Sequence, residues 1–385
     1  MRGLPVGVGS PIHVAMASVA GRVESLHGQT LTNCFGTGTT AHEAAARARD
    51  EYLERWSGFA HAGVAVRLAT LAELGHRALH PNDVLLVSER QFAAAGITSP
   101  YATDAPVGWV EARGLTTDRR TLVPAQLVYY GYGREFAFSF GSADSNGAAA
   151  GVTVEDAARR ALLELVERDS VALWWYNRLR RPAVALDAIA DPLVGEILGW
   201  LNERGRNVWA LDLTSDLGIP VVVAMSARRG HARPHIRFGF GANPDRALAA
   251  RRALVELMQD EGIVRAQRAG LLGVQDEERR WRREGTITSA PFLVPLRGRA
   301  RIPRAMRRDS LEAIARRLAA RGHEPLLVEQ TRPETGRVVV KCFAPGLRPW
   351  WPRFAPGRLF DAPVRAGWSQ TRRRESQLHS VPIWF

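Results

Sequence analysis

A helix-length pattern occurs three times along this chain, and its copies carry acidic residues at one fixed spacing. Glu43 to Arg55 reads EAAARARDEYLER, Asp156 to Arg168 reads DAARRALLELVER, and Arg246 to Gln259 reads RALAARRALVELMQ. Aligned without gaps, Glu51, Glu164 and Glu256 coincide, and Glu54, Glu167 and Gln259 coincide three residues later. Ala48, Ala161 and Ala253 fall together, as do Arg47, Arg160 and Arg252. A spacing of three puts both members of a pair on one helix face. The copies are too far apart and too unequal for a solenoid. They read as related helices of one enlarged domain. Unrelated amphipathic helices from an Ala- and Arg-rich composition would explain the apolar spacing, but not the Glu-x-x-Glu-Arg ending shared by the first two copies.

The flanking residues set the expected boundaries. In the central copy a Ser-Asn-Gly turn leads to Thr153, an N-cap with Asp156 as its acidic partner, and a helix over about 154–178. Its bulky end, Trp174-Trp175-Tyr176, reads as core. The first copy predicts a helix over about 41–57 behind a Gly36–Thr40 loop. The third predicts one over about 244–269, after Phe238-Gly239-Phe240-Gly241. The GTGTTA segment formally fits a dinucleotide-type glycine pattern. Its lead-in is a poor strand and no acidic partner follows at the required distance, so that reading is set aside.

Elsewhere, one or two strands are expected in residues 1–30, and a hairpin from Leu122–Tyr130 and Arg134–Phe140 across Gly131 to Gly133. Two strands are expected at Asn207–Leu213 and Ile219–Met225, the second buried on both faces. Ser310 caps a helix to about Arg321, and a last strand pair falls at 326–329 and 337–343. From Ala344 a Pro/Trp/Arg-rich tail wraps the surface. No clean linker stands out. The expectation is one α/β (α+β) body over residues 1–385 with mixed sheets: an N-terminal part to about 150, a central and C-terminal part over about 151–343, and the tail 344–385.

Composition removes several classes. A hydrophobic content of 46% is ample for a core, and no apolar run approaches the roughly 18 residues that span a bilayer. The N-terminus has no apolar signal region, so cytoplasm is the expected compartment. Cys34 and Cys342 form no metal spacing. The net charge of +13 is carried almost wholly by arginine, with Lys341 the only lysine. No Cys/His finger, RNP-type aromatic motif or helix-turn-helix accompanies it, so nucleic acid is not the expected partner. The basic runs at 278–284 and 297–308 read as solvated helix ends and loops, or as a surface for a nucleotide, a peptide or a partner subunit.

The chain has no Gly-Lys-Ser/Thr loop, no Gly-x-Ser-x-Gly elbow and no His-Glu-x-x-His. It offers paired carboxylates instead. If the helices converge, four acids and Gln259 make an oxygen-rich nest suited to a hard cation such as Mg2+, which commonly bridges to phosphates. Without a cation the acids would repel one another. Neighbouring arginines could hold phosphate oxygens.

The segments GTGTTAHEAAARARDEYLERWSG, SNGAAAGVTVEDAARRALLELVERD and FGFGANPDRALAARRALVELMQ resemble the YcaO proteins, as does the tail KCFAPGLRPWWPRFAPGRLFDAPVRAGW. The resemblance runs from about residue 30 to the C-terminus. It implies a YcaO-like fold with three related acidic helices converging on one ATP site, and ATP and Mg2+ as cofactors. The implied activity is cyclodehydration: a Cys, Ser or Thr side chain of a precursor peptide adds to the preceding carbonyl carbon, and the oxygen leaves as phosphate, giving a thiazoline or oxazoline. By position, Glu51, Glu54, Glu164 and Glu167 resemble the Mg2+–ATP carboxylates. Asp156 falls on a further acid, Arg168 on the arginine close to the phosphates, and Glu256 and Gln259 on the third helix. Pro382 and the terminal carboxylate of Phe385 are expected in the active-site cleft. The chain departs from the family at Gly36-Thr37-Gly38, where many relatives have Gly-Lys-Gly, at Arg47, where serine is common, and in its last residues, Leu378 to Phe385, which keep one proline. It shows neither a leader-binding nor a flavin domain, so the implied partners are a leader-binding protein and an FMN-dependent azoline dehydrogenase. A thioamide- or amidine-forming subunit and a non-catalytic scaffold are the alternatives.

Overall fold

The computed structural model describes residues 1–18, 33–61, 63–97, 101, 104–133, 139–298 and 310–383. Among these residues the strands form three antiparallel sheets. The first joins Arg2–Leu4, His13–Ser18 and Asn33–Gly38. The second joins Arg206–Asp212, Val221–Arg228 and Arg237–Ala242. The third runs in the order Arg67–Ala69, Val107–Gly114, Leu326–Glu329, Val338–Phe343, Ala148–Gly151, with Arg120–Pro124 also paired to Val107–Gly114.

One strand of each sheet leads into one acidic helix. Asn33–Gly38 is followed by Ala41–Ser57, Ala148–Gly151 by Val154–Asn177, and Arg237–Ala242 by Arg246–Arg268. Each helix starts at a side-chain cap. Thr40 accepts from the Glu43 N–H, Thr153 from Asp156, and Asp245 from Ala247 and Leu248. Such a cap contributes about 1 kcal/mol, and it explains why these starts were legible in the sequence.

The repeat extends back into the strands. A Cβ at Gly36 would lie 2.2 Å from both Ala44 O and Ala48 N, and one at Gly241 would lie 2.2 Å from Ala249 O and 2.7 Å from Ala253 N. Those helix positions are equivalent in the first and third copies. A Cβ at Gly38 would lie 2.7 Å from Ala44 N, and one at Gly151 2.6 Å from Ala157 N, equivalent positions in the first and second copies. Strand backbone therefore rests directly on helix backbone. This corrects the expectation of a loop from Gly36: Gly36-Thr37-Gly38 ends a strand. Glycine is a weak strand former, and it stands here because a neighbouring backbone approaches closely.

The three strand–helix units close on one another. The first helix also packs on Ala148–Gly151, the central helix on Arg237–Ala242, and the third on Asn33–Gly38. Each helix thus leans on the strand of the next unit, so the acidic faces point toward a shared centre.

The central helix is the hub of the main core. Trp174 and Trp175 are fully buried and Tyr176 is 1% exposed, as their apolar bulk implied. The expected hairpin at Leu122–Tyr130 is a second correction. The strand is Arg120–Pro124, paired upstream with Val107–Gly114, and Ala125–Val128 turns into a short helix. Pro124 cannot extend the ladder beyond its own position. Most of the other expected arm, and most of residues 297–308, lie outside the described residues.

The tail is more deeply held than a surface wrap. Arg348 and Arg358 are 2% and 4% exposed. Asp169 of the central helix accepts from the Arg348 N–H at 3.0 Å and from Arg358 Nε at 2.8 Å, and Arg358 Nη2 reaches Asp216 at 2.7 Å. With Arg358 paired to both Asp169 and Asp216, and Arg348 Nη2 donating to Ala355 O and Pro356 O, this buried network locks the tail to the helix that carries Glu164 and Glu167. Removing one partner of such a buried pair typically costs about 3–5 kcal/mol.

Candidate functional site

The first acid of each motif is pinned by a backbone N–H from its own unit. Phe35 N donates to Glu51 Oε2 at 2.8 Å, Phe240 N to Glu256 Oε2 at 2.6 Å, and Gly147 N to Glu164 Oε2 at 3.3 Å. The second acid reaches into the next unit. Ala150 N donates to Glu54 Oε2 at 3.3 Å, and Ala242 N donates to Glu167. Ala150 and Ala242 are equivalent positions in the alignment of the copies.

Arginine fills the next position in two of the three units. Arg55 Nη2 lies 3.1 Å from Glu51 Oε1, and Arg168 Nε donates to Glu164 Oε1 at 2.8 Å. The Trp350 ring covers the Arg168 guanidinium, 4.4 Å from its carbon, so this arginine is clamped between a carboxylate and an aromatic face. In the third unit the equivalent residue is Asp260, which pairs with Arg237 at 3.2 Å.

The remaining carboxyls are short of countercharge. Burial raises Glu54 to about 8, with Glu164 and Glu51 adding to the rise against Arg55. Burial raises Glu256 to about 8, helped by Glu167, and raises Glu167 to about 7, helped by Glu164. Burial also raises Glu51, opposed by Arg55 and assisted by Glu164. Beyond burial, Glu164 of the central unit raises both Glu51 and Glu54 of the first, and Glu167 raises Glu256 of the third, so the structure brings the three helices' carboxylates together.

A cleft of about 1540 Å3, open to solvent, runs beside these acids. Glu167, Glu256, Gln259 and Asp156 line it, together with the backbone of Thr37 and Gly38 and the arginines 47, 159, 160, 251 and 252. Two of these arginines are set by the repeat: Arg47 donates to Thr37 O at 2.8 Å and Arg252 to Ala242 O at 3.0 Å. Asp156 is held at its helix start by the Val152 N–H and pairs with Arg160 at 3.1 Å. The lining therefore carries both acids and arginines.

The expected Mg2+ ligands fit a cation in a specific way. Among the described residues, no three Asp, Glu, His or Cys side chains stand close enough to hold an ion by themselves. Glu51, Glu54, Glu164 and Glu167 are thus near one another without forming a protein-only cage. Mg2+ usually takes only one or two protein carboxylates, with phosphate oxygens and waters completing the octahedron. Carboxylates whose ionisation is opposed by burial and by one another suit that role.

The tail's placement is more limited. Pro382 is half-buried and does not line the cleft, and Phe385 lies outside the described residues. The tail is anchored on the far end of the central helix. Trp175 Nε1 donates to Val381 O and His379 N donates to Tyr176 O, each at 2.8 Å. The Tyr176 hydroxyl donates to Trp350 O and sits beside the Ile383 backbone. Two side chains, Tyr176 and Trp350, therefore separate the last described residue from Arg168.

The sequence reading expected neighbouring arginines without naming those of the cleft, and it missed Trp350. The signal for the arginines was present, because Arg47, Arg160 and Arg252 already coincide in the alignment. Trp350 carried no local signal.

Fold and site together define a class: a protein of mixed α and β structure that gathers carboxylates from the helices of three strand–helix units beside a solvent-open cleft. The chain belongs to the YcaO cyclodehydratase family, described as ATP- and Mg2+-binding, which it matches over residues 35–348. A heterocyclase solved in complex with substrate and cofactor is 33% identical, with a TM-score of 0.88 over 98% of this chain and 54% of that one. The heterocyclase TruD is 34% identical, with a TM-score of 0.77 over 90% of this chain and 51% of that one. This chain thus spans about half the length of either heterocyclase. YcaO from Methanopyrus kandleri, bound with AMPPCP and Mg2+, shares the fold at 23% identity and a TM-score of 0.64, over 88% of this chain and 83% of that one. ATP and Mg2+ are the cofactors of this family. Among the described residues, no helix is long and apolar enough to cross a membrane.

Proposed function

We propose that this chain is the ATP-dependent cyclodehydratase subunit of a peptide-modifying synthetase. The observation that carries the reading is the gathering of Glu51, Glu54, Glu164 and Glu167 from two units beside an arginine-lined cleft. In the proposed reaction, a Cys, Ser or Thr side chain of a precursor peptide attacks the preceding carbonyl carbon and loses its proton. The resulting oxyanion takes the γ-phosphoryl group of ATP, releasing ADP. The amide nitrogen then loses its proton, the carbon–oxygen bond breaks, and phosphate departs as the C=N bond of the thiazoline or oxazoline forms.

The protein's part in such a transfer is positioning and charge neutralisation. Glu51, Glu54, Glu164 and Glu167 would hold Mg2+, which would supply positive charge to the phosphates, and Asp156, Glu256 and Gln259 would complete the nucleotide site. Arg168, fixed by Glu164 and Trp350, faces the transferring phosphoryl group. Pro382 and Phe385 orient the peptide amide at the end of the tail. A leader-binding protein delivers the precursor, and an FMN-dependent dehydrogenase oxidises the ring.

The test is reconstitution with MgATP, a Cys/Ser/Thr-containing precursor and a leader-binding partner. The expected result is loss of one water per ring by mass spectrometry, matched by one phosphate. Phosphate release with incorporation of added sulfide would move the assignment to thioamide formation. Neither product would overturn it.

A further inference from the structure

The first acids of the three motifs are pinned alike, but their donors are not equally secure. Phe35 lies inside a ladder, opposite Met16, and Phe240 lies opposite Val223. Gly147 lies in a turn one residue before its strand Ala148–Gly151 begins, with φ +77°. The residue equivalent to Phe35 is Ala148, and its N–H is spent inside that turn on Ser145 O at 3.0 Å. The central motif has therefore shifted its donor by one residue, to the position just beyond the last ladder pair.

Lys341 stands at the last pair of the neighbouring ladder. It lies on Val338–Phe343, opposite Ala148, and is 2% exposed. Its Nζ donates to Asp144 O and Asn146 O at 2.7 Å each, and to Asp144 Oδ1 at 3.2 Å. An ammonium has three donors and no acceptor, so this tripod satisfies it fully. Asp144 Oδ1 also accepts from Asn146 N at 3.0 Å, and Asp144 Oδ2 from Trp351 Nε1 at 3.2 Å. The next residue, Cys342, donates its N–H to Gly147 O at 2.7 Å. One ammonium thus closes the turn that aims the Gly147 N–H at Glu164, and through Asp144 it fastens the neighbour of Trp350. Every other residue of the Lys/Arg pair in the chain is arginine. A planar, forked guanidinium cannot replace a compact tripod in so closed a space.

We infer that Lys341 is a positioning residue for the nucleotide site, holding Glu164 and the Trp350 cover of Arg168 in their binding geometry through the Asp144–Gly147 turn. This rests on the Mg2+–nucleotide reading of the cleft, and not on the ring-forming reaction. It predicts a defect in nucleotide affinity beyond any loss of stability. The experiment compares wild type, Lys341→Met and Val123→Ala, the last a buried truncation on the outer strand Arg120–Pro124 of the same sheet. Affinity for a non-hydrolysable ATP analogue is measured by calorimetry at saturating Mg2+, beside Tm. Groups behind metal ligands typically contribute about 10–100-fold in affinity. Lys341→Met should therefore bind at least about 10-fold more weakly, while Val123→Ala stays near wild type. Wild-type affinity in Lys341→Met at lowered Tm would overturn the inference and leave the nucleotide reading standing. A wild-type protein that takes up no nucleotide would sink both. Should Lys341→Met fail to fold, the single lysine offers a second measurement on the intact protein. An amine-reactive ester, followed by peptide mapping, reports how often the turn opens. The Mg2+–analogue complex should slow acylation of Lys341, and an unchanged rate would overturn the inference.

Discussion

The first and third strand–helix units share a backbone plan and differ in what they hold. In both, glycine lets strand rest on helix, an aromatic N–H pins the first glutamate, and an arginine ten residues beyond its acceptor grips a carbonyl. The first unit then supplies Glu54 and Arg55, the third Gln259 and Asp260. Asp260 turns away to Arg237, which also meets the buried Glu261 at 2.9 Å, and Glu261 in turn meets Arg206 at 3.0 Å. The third unit has thus put charge into an internal network, where the first and second direct theirs to the site. The shared features are those that set backbone distance. The divergent ones decide where charge goes, and they can change without moving the scaffold.

The sharpest way to break the contrast between a unit that directs its charge to the site and the third unit is to neutralise acids of the central and third units one at a time. Glu164→Gln or Glu167→Gln should lower ATP-dependent phosphate release by roughly 10²-fold or more, because each removes a carboxylate proposed to hold the Mg2+ that neutralises the transferring phosphate. Glu256→Gln should cost about 10-fold, since its unit carries neither the second acid nor the arginine. Equal losses in steady-state phosphate assays would erase the distinction between the units.

The glycines test the shared scaffold. Gly36→Ala and Gly241→Ala would drive a methyl group into helix backbone, and each should cost about 2 kcal/mol in urea unfolding. The equivalent position in the central unit is already Ala149. Ala149→Gly should therefore cost only about 0.5–1 kcal/mol, from chain entropy. Wild-type stability in Gly36→Ala would mean that the strand does not lie so close.

Smaller still is the cover on Arg168, which the first unit does not share. Trp350→Leu removes a cation–π contact of about 1 kcal/mol, equivalent to roughly a fivefold rise in KM for ATP. A fall in kcat at unchanged KM would place Trp350 in another role.

The mildest effect concerns the tail anchor and depends on pH. Burial, aided by Arg178, depresses His379 from 6.5 to about 4. Its ring lies 5.1 Å from Trp175 and 5.8 Å from Phe292. The unfolded chain takes up the proton first, so the contribution is fully present above about 6.5. It declines as the pH falls toward about 4. Replacing His379 with Gln should flatten that part of the Tm–pH curve, and an unaltered slope would show that the ring titrates alike in both states.

The sequence by itself determined the three helices, their caps and the register of their glutamates. These follow from hydrogen bonds and periodicities within a few residues, which any window of the chain displays. It also carried the family resemblance, because the acidic motifs are local strings. Only the tertiary structure decided which unit each acid serves. Glu54 meets Ala150 across 96 residues, Lys341 meets Asp144 across 197, and Trp175 meets Val381 across 206. The same holds for Gly36-Thr37-Gly38, a loop by propensity and a strand in fact, because a packed helix makes the small residues necessary. Contacts of that reach depend on how three sheets close around one another, and no local pattern of side chains encodes that closure.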